Sequence, residues 1–177
     1  MTARDLPHLP PHSLEAEQGL LGAILTNGGN VLDRIEGTVS AADFYRDDHR
    51  RIFSAAKALH DSGKAVDIVT VSDALTARGE SDQAGSFAYL VDLGDSGFTA
   101  ANARSYAATI RERATLRGLQ QIAADTLASC ASPAGRTPAQ IAADAESGML
   151  ALLDHSDSGP VRLHDVLCDV LADVDER

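Results

Sequence analysis

The sequence predicts an all-α protein: a globular multi-helix head, then an antiparallel helical hairpin and a separate C-terminal linker helix. Three observations predict it. Aromatic residues are only 4% of the chain and Trp is absent, so the core must come from Ala, Leu, Ile and Val. Ala is abundant and strand alternation is scarce, which favours helix. Apolar residues instead recur three and four apart between recognisable start and stop residues. The 177 residues, 44% of them apolar, suffice for one domain with a real core and an appended part.

In order, residues 1–12 carry Pro7, Pro10 and Pro11 and read as an extended lead-in. The head spans 13–97. Ser13 is the N-cap of a first helix with Glu15 and Glu17 in its first turn and Leu14, Leu21, Ile24 and Leu25 on one face. Asn27-Gly28-Gly29 stops it. A short helix uses Val31, Leu32 and Ile35. Ser40 with Asp43 imitates a capping box. The next helix runs from about Asp47 to Asp61, burying Ile52, Phe53, Ala56 and Leu59, and ends at Gly63. Asp67 caps a helix with Ile68, Val71 and Leu75 that ends at Gly79, although Val69-Thr70-Val71 has strand propensity. Gly85 to Leu93 is one more helix, and Gly94 to Gly97 a turn.

The hairpin spans 98–154. Thr99 caps a long Ala-rich helix reaching about Ala131, with Leu116, Leu119, Ala123 and Leu127 along one stripe. Ser132 to Arg136 is a tight connection. Thr137-Pro138-Ala139-Gln140 offers an N-cap, Pro at the first helical position and Gln at the third. The second helix carries Ile141, Ala145, Met149 and Leu152. A hairpin this narrow exposes apolar faces, so Leu116, Leu119, Leu127, Ile141, Met149 and Leu152 are the expected self-association residues. Residues 155–177 begin with a Ser/Gly/Pro linker. Leu163, Val166, Leu167, Val170, Leu171 and Val174 then make an amphipathic docking stripe.

Charge and motifs exclude several functions. The net charge of −11 disfavours a phosphate backbone, and the Arg111, Arg113, Arg117 cluster reads as a solvated helix face. No apolar run approaches the roughly 18 residues of a membrane span, and no signal-peptide core is present. Cys130 and Cys168 form no paired motif. A cytoplasmic, reduced protein is expected. Gly63-Lys64 is followed by Ala65 and lacks the upstream glycine of a phosphate loop. His49 has no accompanying nucleophile. His164 and Cys168 share a helix face but lack a second ligand pair. No catalytic residue, cofactor or metal is expected in this chain.

Three blocks carry a family signature: Ser13 to Leu25 (SLEAEQGLLGAIL), Asp43 to Phe53 (DFYRDDHRRIF) and Val66 to Leu75 (VDIVTVSDAL). With Gly85 to Leu93, Ala100 to Arg113, Leu116-Arg117 and the Pro133 to Arg136 turn, they resemble the N-terminal domain of the DnaB-type bacterial replicative DNA helicase. The match covers about Pro11 to Asp154. The resemblance implies a collar in which hairpins pair and three dimers close a ring. It implies docking of a DnaG-type primase, room for a helicase loader, and a linker helix that packs on a neighbouring motor. ATP and Mg would belong to that motor, which this stretch does not include. Glu15 and Tyr106 match motifs tied to primase docking. Their plainer readings are a helix N-terminal charge and a half-buried helix residue. Gly97-Phe98 departs from the family, which often has Pro-Ser or Pro-Thr there; Phe98 reads as a plug at the head–hairpin junction in preference to an exposed anchor.

Two functions stay open at this point. One is the collar and linker of a replicative helicase. The other is a stand-alone regulator without a motor, binding primase or entering mixed rings. A reading frame continuing past Arg177 into a phosphate-loop motif separates them. For either, DNA binding should be weak or absent at physiological salt. An electrophoretic shift that persists at ~0.2 M salt would contradict this.

Overall fold

The computed structural model describes residues 9–96 and 99–154. Phe98 and the whole linker-helix stripe, Leu163 to Val174, lie outside the described residues, as do His164 and Cys168. Among the described residues there are seven α-helices and no strand. They are α1 (Leu14–Asn27), α2 (Gly29–Arg34), α3 (Asp47–Asp61), α4 (Ile68–Ala77), α5 (Phe87–Asp95), α6 (Ala103–Ala131) and α7 (Pro138–Asp154). Short 3₁₀ turns at Ala41–Asp43 and Ala100–Asn102 precede α3 and α6. No described helix is long and apolar enough to cross a membrane.

Local chemistry explains the boundaries. The Ser13 hydroxyl accepts the Ala16 N–H and starts α1. At α4, the Asp67 carboxylate accepts the Thr70 N–H at 2.8 Å and the Thr70 hydroxyl accepts the Asp67 N–H at 3.0 Å. This reciprocal cap overrides the strand propensity of Val69 to Val71. Three boundaries differ from the sequence reading. Helix α5 starts two residues late, because Gly85 sits at φ 86°, outside the right-handed helical region. It also continues through Gly94 to Asp95, where the Ser96 hydroxyl donates to the Leu93 carbonyl. The long helix does not begin at Thr99, whose side chain makes no capping bond; the 3₁₀ turn intervenes.

Helix α1 is the axle of the head. Leu20, Leu21, Ala23 and Ile24 are fully buried, and α2, α3, α4, α5 and α6 all pack against it. Gly22 lets α5 approach closely, since a Cβ there would come within 2.4 Å of the Leu93 carbonyl oxygen. The Phe44 and Phe53 rings meet at 5.0 Å in a tilted contact in the core. The first turns of α6 complete it, with Ala103, Ala107 and Ile110 buried. Beyond Ile110, α6 leaves the core and becomes the first half of an arm roughly 30 Å long.

One buried cluster ties three helices together. Glu17 is 2% exposed and His49 is fully buried. The Glu17 carboxylate accepts the Tyr45 N–H at 2.6 Å and the Arg46 N–H at 3.4 Å, at the entry to α3. It also accepts from His49 Nδ1 at 2.6 Å, while His49 Nε2 pairs with the Tyr89 hydroxyl at 2.6 Å. The Arg46 guanidinium lies over the Tyr89 ring and pairs with Asp48. Burial pushes the Asp48 carboxyl up, but the Arg46 hydrogen bond and the neighbouring His49 outweigh it and hold it low. Glu17 is therefore not a solvated first-turn charge. It occupies the same helix face as Leu14, Leu21 and Ile24.

Replacing Glu17 by Ala should destabilise the head by about 3–5 kcal/mol, because His49 and two backbone N–H groups lose their buried acceptor. Tyr89→Phe should cost on the order of 1 kcal/mol. Urea unfolding of both variants checks the order of the two losses. At α4, Asp67→Ala should cost about 1 kcal/mol. The Thr70 N–H holds the Asp67 carboxyl below its ordinary value. Its contribution is thus complete above the unfolded carboxyl pKa of about 3.9 and is lost as pH falls through the lowered folded-state value. An acid titration of stability should show this pH dependence shrink in Asp67→Ala.

Candidate functional site

The residues with functional promise gather at the head–hairpin junction and along the arm. At the junction, Asp43 is 5% exposed. Its carboxylate accepts the Ser40 N–H at 2.7 Å and the Ser40 hydroxyl at 2.9 Å, closing the 3₁₀ turn. The other carboxylate oxygen accepts Arg111 Nη1 at 2.7 Å, and Arg111 Nη2 donates to the Leu152 carbonyl at 3.3 Å near the end of α7. Arg111 Nε is buried with no partner. Six residues on, Arg117 donates to the Asp43 and Pro11 carbonyls and lies over the Tyr45 ring. The His12 ring stacks on Tyr45 at 4.5 Å. Burial lowers the Arg117 pKa below its ordinary value.

Arg111 and Arg117 are therefore not members of a solvated face, as their clustering suggested. They join the arm to the head because each reaches a buried acceptor on the turn before α3. Arg113 alone of the three keeps a surface setting, 3.8 Å from its neighbour Glu112. No signal in the spacing identifies these acceptors. Two of the three bonds made by Arg117 and Arg111 to the head end on backbone carbonyls, which every residue carries.

The arm has an inner and an outer side. Gly118, Ile122, Thr126 and Ser129 of α6 face α7. A Cβ on Gly118 would come within 2.6 Å of Leu152, and Ile122 lies against Gly148. Ile141 is buried between the two helices. Ile141 and Leu152 are thus engaged inside the hairpin, in place of the self-association role expected for them. Leu116, Leu119, Leu127 and Met149 point outward, from 37% to 73% exposed, together with Leu150 and Leu153. The connection closes with Ala134 at φ 49° and Gly135 at φ 83°. The expected box starts α7, with the Gln140 side chain accepting the Thr137 N–H at 2.8 Å.

Glu15 is exposed on the first turn of α1. Tyr106 is half-buried at the edge of the core, its hydroxyl 3.5 Å from the Asn102 side-chain amide. The structure brings neither residue to a shared pocket. His49 is sealed in the head, where no substrate reaches it. Gly63-Lys64 closes α3 through backbone bonds from Gly63 to His60 and from Lys64 to Leu59. It is a helix terminus and presents no cradle for phosphate. Among the described residues no group of three metal-ligating side chains converges.

Comparison with known proteins follows this architecture. Residues 9–112, more than half of the chain, match the family model described as the DnaB-like helicase N terminal domain. The chain is 35% identical over 170 residues to the replicative DNA helicase DnaB of Haemophilus influenzae, covering 94% of this chain and 36% of that protein. It is 42% identical over 110 residues to the replicative DNA helicase DnaB of Leifsonia xyli, covering 62% of this chain and 24% of that one. The chain thus spans about a third or less of the length of these curated relatives. The crystal structure of the N-terminal domain of DnaB helicase from Mycobacterium tuberculosis superposes with a TM-score of 0.75 at 32% identity, covering 81% of this chain and 99% of that one. A DnaB-like replicative helicase, solved in a study of its interactions with primase, shares the fold with a TM-score of 0.66 at 22% identity. It covers 93% of this chain and 36% of that one. The match in sequence, in helix order and in three-dimensional form agrees on one assignment: the chain belongs to the family of DnaB-like helicase N-terminal domains.

Proposed function

We propose that this chain serves as the collar of a replicative helicase ring and as the platform on which a DnaG-type primase docks. The observation that carries the reading is the outer side of the arm. Leu116, Leu119, Leu127 and Met149, with Leu150 and Leu153, stand exposed on a hairpin whose inner side is already filled. Apolar side chains so placed mark an interaction surface. A second copy of the arm is the occupant that membership of a helicase family favours, and pairs would then close into a trimer of dimers. The head is acidic and holds no nucleotide-binding or catalytic constellation among its described residues. Unwinding and ATP hydrolysis fall to the motor of the parent helicase. The docking role of Glu15 and Tyr106 rests on the family resemblance, supported by the exposure of Glu15 and the rim position of Tyr106. The C-terminal stripe from Leu163 to Val174 would serve as the linker helix.

Sedimentation velocity at roughly 50 µM should show dimers or larger rings, and Leu119→Asp should shift them toward monomer. Calorimetry with a DnaG-type primase C-terminal domain should show binding that Tyr106→Ala weakens. A strict monomer that Leu119→Asp leaves unchanged, together with no heat on titration, would refute the collar reading.

A further inference from the structure

The hydrophobic core holds only the first two turns of α6. Burial along α6 ends at Ile110. Past that point, the hydrogen bonds and ring contacts described between head and arm are polar or cation–π. They are Arg111 to the Asp43 carboxylate, Arg117 to the Asp43 and Pro11 carbonyls, and Arg117 over Tyr45. Apolar contact is non-directional, whereas such charged hydrogen bonds fix an angle.

The turn of α6 that these contacts grip combines two weakening features. The Thr115 hydroxyl donates back to the Arg111 carbonyl at 3.0 Å, as Thr109 and Thr126 do to their own preceding turns elsewhere on the helix, a bond that often bends helices. Gly118 follows immediately after Arg117, and glycine lowers helix propensity by about 1 kcal/mol against alanine. Beside this turn the head carries a cleft of about 490 Å³. Val39, Ala41, Phe53 and Lys57 line it, and Arg111, paired with Asp43, reaches it from α6.

One element of the grip lies far away in sequence. The lead-in at Pro10 to His12 crosses the junction. Its Pro11 carbonyl accepts Arg117 Nη1 at 2.7 Å, and its His12 ring covers one face of Tyr45. The His12 ring is itself held by a 2.7 Å bond between Nδ1 and the Pro10 carbonyl. Of the described lead-in residues before His12, Leu9 is 74% exposed.

We propose that Pro10–His12 is a strap that locks the arm to the head through Arg117 and Tyr45, and that releasing it lets the arm bend at the Arg111–Gly118 turn. The strap is held by one charged hydrogen bond and one ring stack, so a partner that binds the lead-in can release it without disturbing the core. This device stands on the chain alone and is independent of whether primase binds.

Pulsed electron resonance on the full chain tests it. Spin labels go on Cys130 at the arm tip and on Val69→Cys in α4, with Cys168→Ser, diluted in unlabelled protein so that only distances within one chain are read. The otherwise unaltered chain should give one narrow distance distribution. Arg117→Ala should at least double its width, and so should replacing residues 1–12 by a single Met, which leaves the Ser13 cap in place. His12→Ala should broaden it less. Circular dichroism identifies the variants that remain folded, and the strapless chain removes no core residue. A folded strapless chain whose distribution matches that of the intact one overturns the proposal. Broadening of that distribution at unchanged helix content supports it.

Discussion

The head depends on one buried carboxylate. Glu17 lies on the apolar face of α1, where a leucine would otherwise be expected, and three donors converge on it. Two are backbone N–H groups at the start of α3 and one is the His49 ring. Through His49 the same carboxylate reaches Tyr89 on α5. Hydrophobic contact alone would hold α1, α3 and α5 together but would tolerate rotation between them. A buried acceptor with directional partners permits one arrangement, since any other leaves a polar group stranded. The cluster is thus a device for specificity in a core otherwise made of small aliphatic side chains.

The second organising constraint is the turn before α3. Asp43 is a hub on which the head's own Ser40 and the arm's Arg111 converge, and Arg117 reaches its carbonyl. Because Asp43 opens the segment that leads into the Glu17 cluster, arm and head share a single load path. The contrast between the two ends of that path is physical. In the Glu17 cluster, the carboxylate and the His49 ring are buried and hydrogen-bonded. At the junction, Arg111 Nε is left over and a cleft adjoins it. The rigid part and the adaptable part of the molecule are therefore adjacent.

Much of this was legible in the residues. Helices α1, α4 and α7 begin where Ser13, Asp67 and Thr137-Pro138 signal, because capping is local chemistry that needs no tertiary information. The blocks SLEAEQGLLGAIL and DFYRDDHRRIF carried the family assignment. What failed was orientation. Two stripes run along α6, one at Leu116, Leu119, Ala123 and Leu127, the other at Gly118, Ile122, Thr126 and Ser129. Periodicity pointed to the first, but only the partner helix decides which turns inward, and α7 takes the second, where Gly118 permits close approach. Glu17 left a trace, a charge on an apolar face. Arg111 and Arg117 left none, because an arginine that anchors a distant backbone carbonyl looks in sequence like one that faces water.

The chain has no tryptophan and three tyrosines, and each tyrosine sits at a different structural boundary. Tyr45 lies between the His12 ring and the Arg117 guanidinium, at the seam of lead-in, head and arm. Tyr89 is hydrogen-bonded to His49 beneath the Arg46 guanidinium. Tyr106 stands at the edge of the core where α6 departs. The ultraviolet emission of this molecule therefore comes mainly from three fluorophores in distinct surroundings. Single-tyrosine versions would turn one spectrum into separate optical reports on the seam, the sealed carboxylate cluster and the root of the arm, with no dye attached.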